Sequence, residues 1–291
     1  MSVAKRVPLA VYQPIWVKGE VYDHAFQRPS AERYEPIRAL CAKFERPFSV
    51  LDIGSNYGYF DVRLMNDFPE CVCVLVDDKT VGPVLQANNV MDRSVVLSRK
   101  VSAEVLESLS RSEHFDVVVA FSVLHHFDDP ARAFNALLKL GSWALFEIPG
   151  EDDVGAANPE LHAGIRKLFE RYLEAGYFPS HVSECRRPYY VIENAPYLVE
   201  QSIDCADRDA PAYQRYRIET DFKRCEFVKA DGERRPFVPG MNLHNFRRLG
   251  GGWPTEDLIQ KSLEEFRGHP DFNPWNFIVG RGLTPIDAGA K

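Results

Sequence analysis

Up to residue 193 the apolar positions fall into two alternating patterns. Short apolar runs at 50–53, 71–76, 94–97, 115–121 and 142–148 have the length and the β-branched and aromatic content of buried strands. Before and between them, at 30–44, 59–66, 82–89 and 131–140, lie the stretches that read as helices. Helix ends carry their own chemistry. Ser102 is placed to cap a helix whose first turn holds Glu104. Asp129 and Pro130 form an N-cap and first-turn pair, with Gly141 after the last turn. Asn158, Pro159 and Gly176 frame another helix, whose apolar face is Leu161, Ile165, Leu168, Phe169, Tyr172 and Leu173. In 30–44 the apolar side is Tyr34, Ile37, Leu40, Cys41 and Phe44. Proline is tolerated only in a first turn, so Pro36 predicts that the regular helix begins near Glu35. Two more strands are expected, at 181–185 and 189–193. This alternation predicts an α/β fold, a doubly wound and mostly parallel sheet whose ligands sit outside the carboxyl ends of its strands.

Residues able to do chemistry collect at that edge. The run Val50-Leu51-Asp52-Ile53 continues into Gly54-Ser55-Asn56-Tyr57-Gly58. Two glycines four apart after a buried strand predict a sharp turn into a helix. There the backbone passes close to a ligand that any Cβ would exclude, and helix N–H groups face it. A nucleotide-like cofactor is expected. Asn56 occupies the second glycine of the dinucleotide fingerprint G-x-G-x-x-G, which disfavours NAD. The stretch from Asp52 to Gly58 instead resembles the first motif of class I S-adenosylmethionine-dependent methyltransferases.

Three further stretches follow in that family's order. The second strand is capped by Asp77 and Asp78, and a carboxylate there accepts hydrogen bonds from both hydroxyls of a ribose, a role that falls to Asp77 with Asp78 as its neighbour. The run from Phe115 through Ser122-Val123-Leu124-His125-His126 to Pro130 is similar to the fourth-strand motif, whose strand end reaches the methyl donor while the histidine pair lies where an acceptor docks. A fifth strand carries Glu147 at its end. The resemblance implies S-adenosyl-L-methionine as cofactor, held by Asp52, Gly54, Ser55, Asn56, Gly58, Asp77, Asp78 and Ser122. The family commonly places an acid after the third strand for the adenine amino group; the run Leu97-Ser98-Arg99-Lys100-Val101-Ser102 has none. The helix before the first strand often closes over the methionine end in this family. That makes Tyr34 and Arg38 candidates for its carboxylate, with packing and solvation the favoured account of both.

An oxygen acceptor of high pKa must lose a proton, and histidine titrates near neutral pH. Neighbouring residues at a strand end point apart, so one of His125 and His126 is expected to face the acceptor, with His126 slightly favoured. The alternative is that one ring stacks beside the adenine and neither is a base. Glu147 either orients the acceptor or acts as base. Arg186 and Arg187 read as a solvated turn, with capture of an anionic acceptor as the alternative.

Charge and cysteine content narrow the setting. The chain has 42 acidic and 35 basic residues and a formal net charge of −7, so diffuse attraction to nucleic acid or anionic membrane is not expected. No apolar run reaches bilayer length and no secretory core opens the chain, which predicts a cytoplasmic location. RNA is a weaker acceptor candidate, because no RNA-binding module or basic aromatic run is visible. Among the six cysteines, Cys71 and Cys73 alternate within one strand, and no second pair stands at metal-ligand spacing. Reduced thiols and no metal site are expected.

Three regions are predicted: an arm or flap over 1–29 with scattered aromatics and prolines, a methyltransferase domain over 30–195, and an extension over 196–291. The extension is proline-rich, carries Gly250-Gly251-Gly252, and predicts one helix at 255–267 with Leu258, Ile259, Leu263 and Phe266 facing inward. Its end, from His269 through Asp271, Asn276 and Asp287, resembles the catalytic loop and metal-binding Asp-x-Gly of aminoglycoside-kinase-like phosphotransferases. That chemistry needs an Asp beside the attacking hydroxyl, an Asn five residues on, and a further Asp for Mg²⁺. No glycine-rich nucleotide loop precedes it, Lys229 is only a nominal phosphate lysine, and the region is short for two kinase lobes. Fused methyltransferase-kinase enzymes of bacterial polysaccharide synthesis share this order of motifs. The expected function is methyl transfer to an oxygen of a small-molecule or glycan-type acceptor. The alternatives are the methyltransferase part of a methyltransferase-kinase and a non-catalytic binding module.

Overall fold

The computed structural model of the protein describes residues 12–21, 28–151, 153, 158–180, 185–194, 201–202, 215–229, 232–267 and 274–286. A hairpin of β1 (Trp16–Val17) and β2 (Glu20–Val21) precedes α1 (Ala31–Cys41). Strand and helix then alternate: β3 (Phe48–Ile53), α2 (Tyr59–Asp67), β4 (Cys71–Asp77), α3 (Gly82–Ala87), β5 (Ser94–Ser98), α4 (Ala103–Leu109), β6 (Phe115–Phe121), α5 (Pro130–Leu140), β7 (Gly141–Glu147), α6 (Pro159–Phe169), β8 (Gly176–Pro179) and β9 (Arg186–Glu193). These strands form one seven-stranded sheet in the order β5-β4-β3-β6-β7-β9-β8. β3 to β7 pair in parallel, and β9 runs antiparallel between β7 and β8. The register sets Ile53 beside Val76 and Phe121 beside Glu147, which brings Asp52, Asp77, Ser122 and Glu147 to one edge.

The strands are apolar throughout because both faces are covered. On one face Tyr34, Ile37, Phe60, Leu64 and Leu85 from α1, α2 and α3 pack against Val50 and Val119. The opposite face receives Leu106, Phe134, Leu137, Ile165 and Phe169 from α4, α5 and α6. Caps expected at Ser102, Asp129 and Asn158 are made, each side chain accepting a backbone N–H of its own first turn.

Beyond the sheet, β10 (Gln201–Ser202), β11 (Arg215–Thr220), β12 (Cys225–Lys229) and β13 (Arg234–Pro236) make an antiparallel sheet of their own. The chain continues through β14 (Gly240–Asn242), α7 (Leu243–Arg248), α8 (Glu256–Glu264), β15 (Phe277–Gly280) and β16 (Gly282–Pro285). Met241, Leu243, Phe246, Ile259, Leu263, Phe277 and Val279 from this last part enter the same apolar layer as α4 to α6. Val96 of β5 exchanges backbone hydrogen bonds with the 252–253 segment, its N–H donating to the Trp253 carbonyl (2.8 Å) and its carbonyl accepting from Gly252 (2.7 Å), so the free edge of β5 is occupied.

Several boundaries differ from expectation. α1 begins at Ala31 and keeps Pro36 inside it. The lost hydrogen bond would have gone to the carbonyl of Glu32, an exposed residue, while burial of Arg33, Tyr34 and Ile37 holds the turn. The helix expected to reach Gly176 stops at Phe169 and leaves Leu173 92% exposed, because Gly176 already pairs with Tyr189 as β8. A Cβ on Gly176 would stand 2.6 Å from the Tyr189 ring. In α8, Ile259 and Leu263 are buried but Leu258 is exposed, since it lies a third of a turn from that line. Of the strand expected at 181–185, residues 181–184 lie outside the described residues, as do Asp271 and Asp287. Among the described residues, no helix is long and apolar enough to cross a membrane.

Candidate active site

The chain leaves β3 through a bend that β4 holds. Gly54 and Ser55 both donate to the Val76 carbonyl (2.9 and 3.3 Å), and Gly58 donates back to the Ser55 carbonyl (2.8 Å). Gly54 (φ 80°), Asn56 (φ 54°) and Gly58 (φ 71°) all occupy the left-handed region. At Gly58 a Cβ would stand 3.0 Å from Val81 Cγ2 and 3.1 Å from Leu75 Cδ2, so conformation and space both demand glycine. Asn56 tolerates its positive φ with local help, its side-chain carbonyl accepting the Tyr57 N–H (3.0 Å).

Asp77 at the tip of β4 touches this bend. Its Oδ2 accepts the Asn56 N–H (2.9 Å) and its Oδ1 the Lys79 N–H (3.0 Å), leaving each oxygen a further lone pair. Burial raises its pKa. Asp78 is turned to solvent beside Lys79 and Lys100. Asp52 is buried, and burial together with the charge of Asp61 holds its carboxyl well above the usual range. Asp52 Oδ2 and Ser55 Oγ are buried with no partner among the described residues. Such atoms are rare, and at this bend they suit a ligand that carries its own donors, as the ammonium of an amino-acid end does.

Tyr34 and Arg38 are engaged elsewhere. The Tyr34 hydroxyl is buried and donates to Asp67 (2.7 Å), and Arg38 lies 3.6 Å from the same carboxylate.

His125 and His126 share one short turn after β6, with ring centroids 4.1 Å apart. Their surroundings differ. His126 is exposed, and the charges acting on it are those of Lys100 and Asp77, on the side of the bend. His125 is partly buried, its Nδ1 has no partner among the described residues, and the groups acting on it include Arg187, Arg28 and His162 of α6, whose ring lies 5.7 Å away. Burial lowers the pKa of both imidazoles, that of His125 to about 3.

Beside His125 lies a buried ionic cluster built on Glu147. Its Oε2 accepts from Arg28 (2.5 Å) and Arg33 (2.7 Å), and its Oε1 accepts from the Ser122 hydroxyl (2.7 Å). The Ser122 oxygen in turn accepts from Arg28 (3.0 Å) and Arg187 (2.9 Å). Arg187 also lies 2.7 Å from Asp153. Burial opposes ionisation of Glu147, yet the guanidinium groups of Arg28 and Arg33 outweigh it and bring the carboxyl down to about 2. Both carboxylate oxygens are filled by these donors, which counts against Glu147 as a base and leaves it an anchoring role. Ser122, expected at the donor, spends its hydroxyl inside this cluster. Arg187 is a buried strand residue where a solvated turn was expected, whereas Arg186 is exposed.

Arg28, Arg33, Asp153, His162 and Asp61 were not among the sequence candidates for the site. Asp61 had a legible signal, an acid three and four residues before Leu64 and Met65 on the apolar stripe of α2. Among the described residues, no group of three or more His, Cys, Asp or Glu side chains is placed to hold a metal ion.

A family model described as a methyltransferase domain matches residues 22–204. The O-antigen chain terminator bifunctional methyltransferase/kinase WbdD of Escherichia coli is 25% identical over 168 residues, which cover 53% of this chain and 23% of that protein. The tRNA U34 carboxymethyltransferase of Wolinella succinogenes is 26% identical over 165 residues, 54% of this chain and 56% of the relative. The aligned region thus spans less than two thirds of either relative. A solved structure of the bifunctional kinase-methyltransferase WbdD superposes on 98% of this chain and 80% of its own with a TM-score of 0.52 at 18% identity, a likeness of fold.

Proposed function

The chain belongs to the methyltransferase domain family, and from that premise we propose that it transfers a methyl group from S-adenosyl-L-methionine to an oxygen of a small-molecule or glycan-type acceptor. The observation that carries the donor assignment is the 2.9 Å hydrogen bond from the Asn56 N–H to Asp77, which joins the glycine bend and the ribose acid into one cradle. Asp77 accepts the ribose hydroxyls with its remaining lone pairs, and the bend lets the backbone approach the amino-acid end. When bound, the cofactor supplies an electrophilic methyl carbon on a sulfonium.

In this reading His126 flanks the donor and His125 faces the acceptor. The different charges around the two rings support that division. An alcohol oxygen becomes strongly acidic as it gains the methyl group, so an imidazole of lowered proton affinity still takes its proton at the unpartnered Nδ1. The Glu147 cluster is rigid and dry, ties Arg28 of the arm and Arg33 of α1 to β7, and walls the acceptor side. Calorimetry with S-adenosylhomocysteine, followed by transfer from labelled donor across sugar and small-molecule acceptors, tests the assignment. A folded protein that binds neither donor nor product refutes it.

A second reading is a methyltransferase joined to phosphotransferase chemistry. It has one structural support: the Ile286 N–H donates to the Asn276 carbonyl (2.7 Å), so the β15–β16 hairpin sets Asn276 beside the segment leading to Asp287. Protection of the tail from proteolysis by ATP with Mg²⁺, lost in Asp271→Ala, is its test.

A further inference from the structure

α2 carries one acid on its buried side. Asp61 is fully buried, and neither of its carboxyl oxygens has a hydrogen-bond partner among the described residues. It lies under the glycine bend, since a Cβ on Gly58 would stand 3.8 Å from Asp61 Oδ2. Its carboxyl meets that of Asp52 at the end of β3, whose own Oδ2 lacks a donor among the described residues. Two buried carboxylates in contact repel strongly at low dielectric, and the contact is stable when a proton sits between them. The Cys73 thiol of β4 faces Asp61, with Cys71 beside it, and Asp77 faces Asp52 from the tip of β4. Arg28 is the positive group that acts on Asp52, and its influence is smaller than those of burial, Asp61 and Asp77.

We propose that Asp61 is a positioning residue of the donor site: the free pair holds two protons, one leaves when the ammonium of the donor's amino-acid end arrives, and the one that stays is shared by the two carboxyls and fixes Asp52 with Oδ2 presented to that cation. The inference rests on the donor-binding reading above. No covalent bond changes; one proton passes to solvent, and the ligand's positive charge replaces it. Donor and demethylated product carry the same ammonium, so both elicit the release. The sign follows directly. A cation beside the pair favours its singly ionised form, so affinity rises with pH until the free pair has itself lost its first proton, with a limiting slope of about tenfold per pH unit for one whole proton.

The test is calorimetric titration of the full chain with S-adenosylhomocysteine between about pH 5 and about pH 7, below the range in which an amino group titrates. Each pH is run in two buffers of different ionisation enthalpy, so that released protons are counted. The expected result is net proton release by the wild type and a dissociation constant that falls as pH rises. In Asp61→Asn the amide donates to a permanently ionised Asp52, so affinity at the acid end is retained or improved and the slope flattens. What slope remains belongs to Asp77 and the imidazoles. Equal slopes in both proteins, or no proton released by the wild type, overturn the proposal while leaving donor binding intact. Should Asp61→Asn fail to fold, Asp61→Ser, smaller and likewise without a titrating group, takes its place, and an unflattened slope in it overturns the proposal. Absence of binding at every pH overturns the donor reading itself, and this inference with it.

Discussion

Arg33 and Glu147 are 114 residues apart in the chain and meet through two hydrogen bonds, of 2.7 and 3.3 Å, with both side chains wholly buried. The contact ties the first helix to the end of β7. With Arg28 on the same carboxylate, it fixes the entry of the chain into the sheet. Removing the acid leaves two arginines buried without their anion. Glu147→Ala is therefore expected to destabilise the protein by about 3–5 kcal/mol, measured by urea unfolding. The pH dependence has a definite sign. The folded carboxyl titrates at about 2, below its unfolded value, so its contribution of about 3 kcal/mol is present above the ordinary glutamate range and is lost as pH falls toward about 2. Wild-type stability should decline over that acid window more steeply than that of Glu147→Ala.

Asp77 is the second point of leverage. Asp77→Ala removes an acceptor of the Asn56 N–H and, in the proposed function, of the ribose hydroxyls. Loss of one or two charge-assisted hydrogen bonds costs about 1.5–3 kcal/mol, which corresponds to about a 10- to 100-fold rise in the dissociation constant for S-adenosylhomocysteine. Asp78→Ala, at the exposed neighbour, should leave that constant within about twofold of wild type. Calorimetry on the two variants side by side decides which acid holds the ribose, and equal losses would discard the assignment to Asp77.

The two histidines should separate kinetically. His125→Ala is expected to lower kcat with little change in product affinity, by about 10²-fold, the low end of the range for a general base because the ring's proton affinity is reduced. His126→Ala should act mainly on donor affinity. Because burial lowers the His125 pKa to about 3, its ring stays unprotonated down to that value, and it should contribute no acid limb to the kcat profile in the neutral range. Single-turnover rates with saturating donor make the comparison. A full loss of rate in His126→Ala with His125→Ala intact would reverse the roles.

The sheet, the succession of its strands along the chain to β7 and the glycine bend were readable in the sequence, because apolar runs of strand length and paired glycines have few other physical uses. What escaped was long-range. Arg28 and Arg33 sit in stretches with no motif, and their meaning depends on Glu147, which lies more than a hundred residues away. Arg187 follows the exposed Arg186 in sequence but is buried by the strand alternation of β9, a distinction invisible until its pairing with β7 is known. Leu258 and Leu173 misled for the opposite reason: each extends an apolar pattern past the point where the helix has a surface to cover.

The extension is held to the sheet by a buried acid whose titration can be followed. Glu113, between α4 and β6, accepts from the Asn245 side chain (2.6 Å) and from the Asn242 N–H (3.2 Å), and burial raises its pKa to about 7. A raised carboxyl is fully favourable only while protonated. Its contribution, about 3 kcal/mol across the interval from the ordinary glutamate value, is therefore present at acid pH and is lost as pH climbs through about 7. In Glu113→Gln one amide oxygen can take both donors and no charge is ever buried. The variant should match wild type near pH 5 and exceed it by about 1–3 kcal/mol near pH 8 in urea unfolding. Proteolysis of the 240–286 segment should likewise slow in the variant at the higher pH, because local opening of the docked part is what the ionised acid favours. A variant that is less stable than wild type at both pH values would mean that the carboxylate form is the one the two asparagines require.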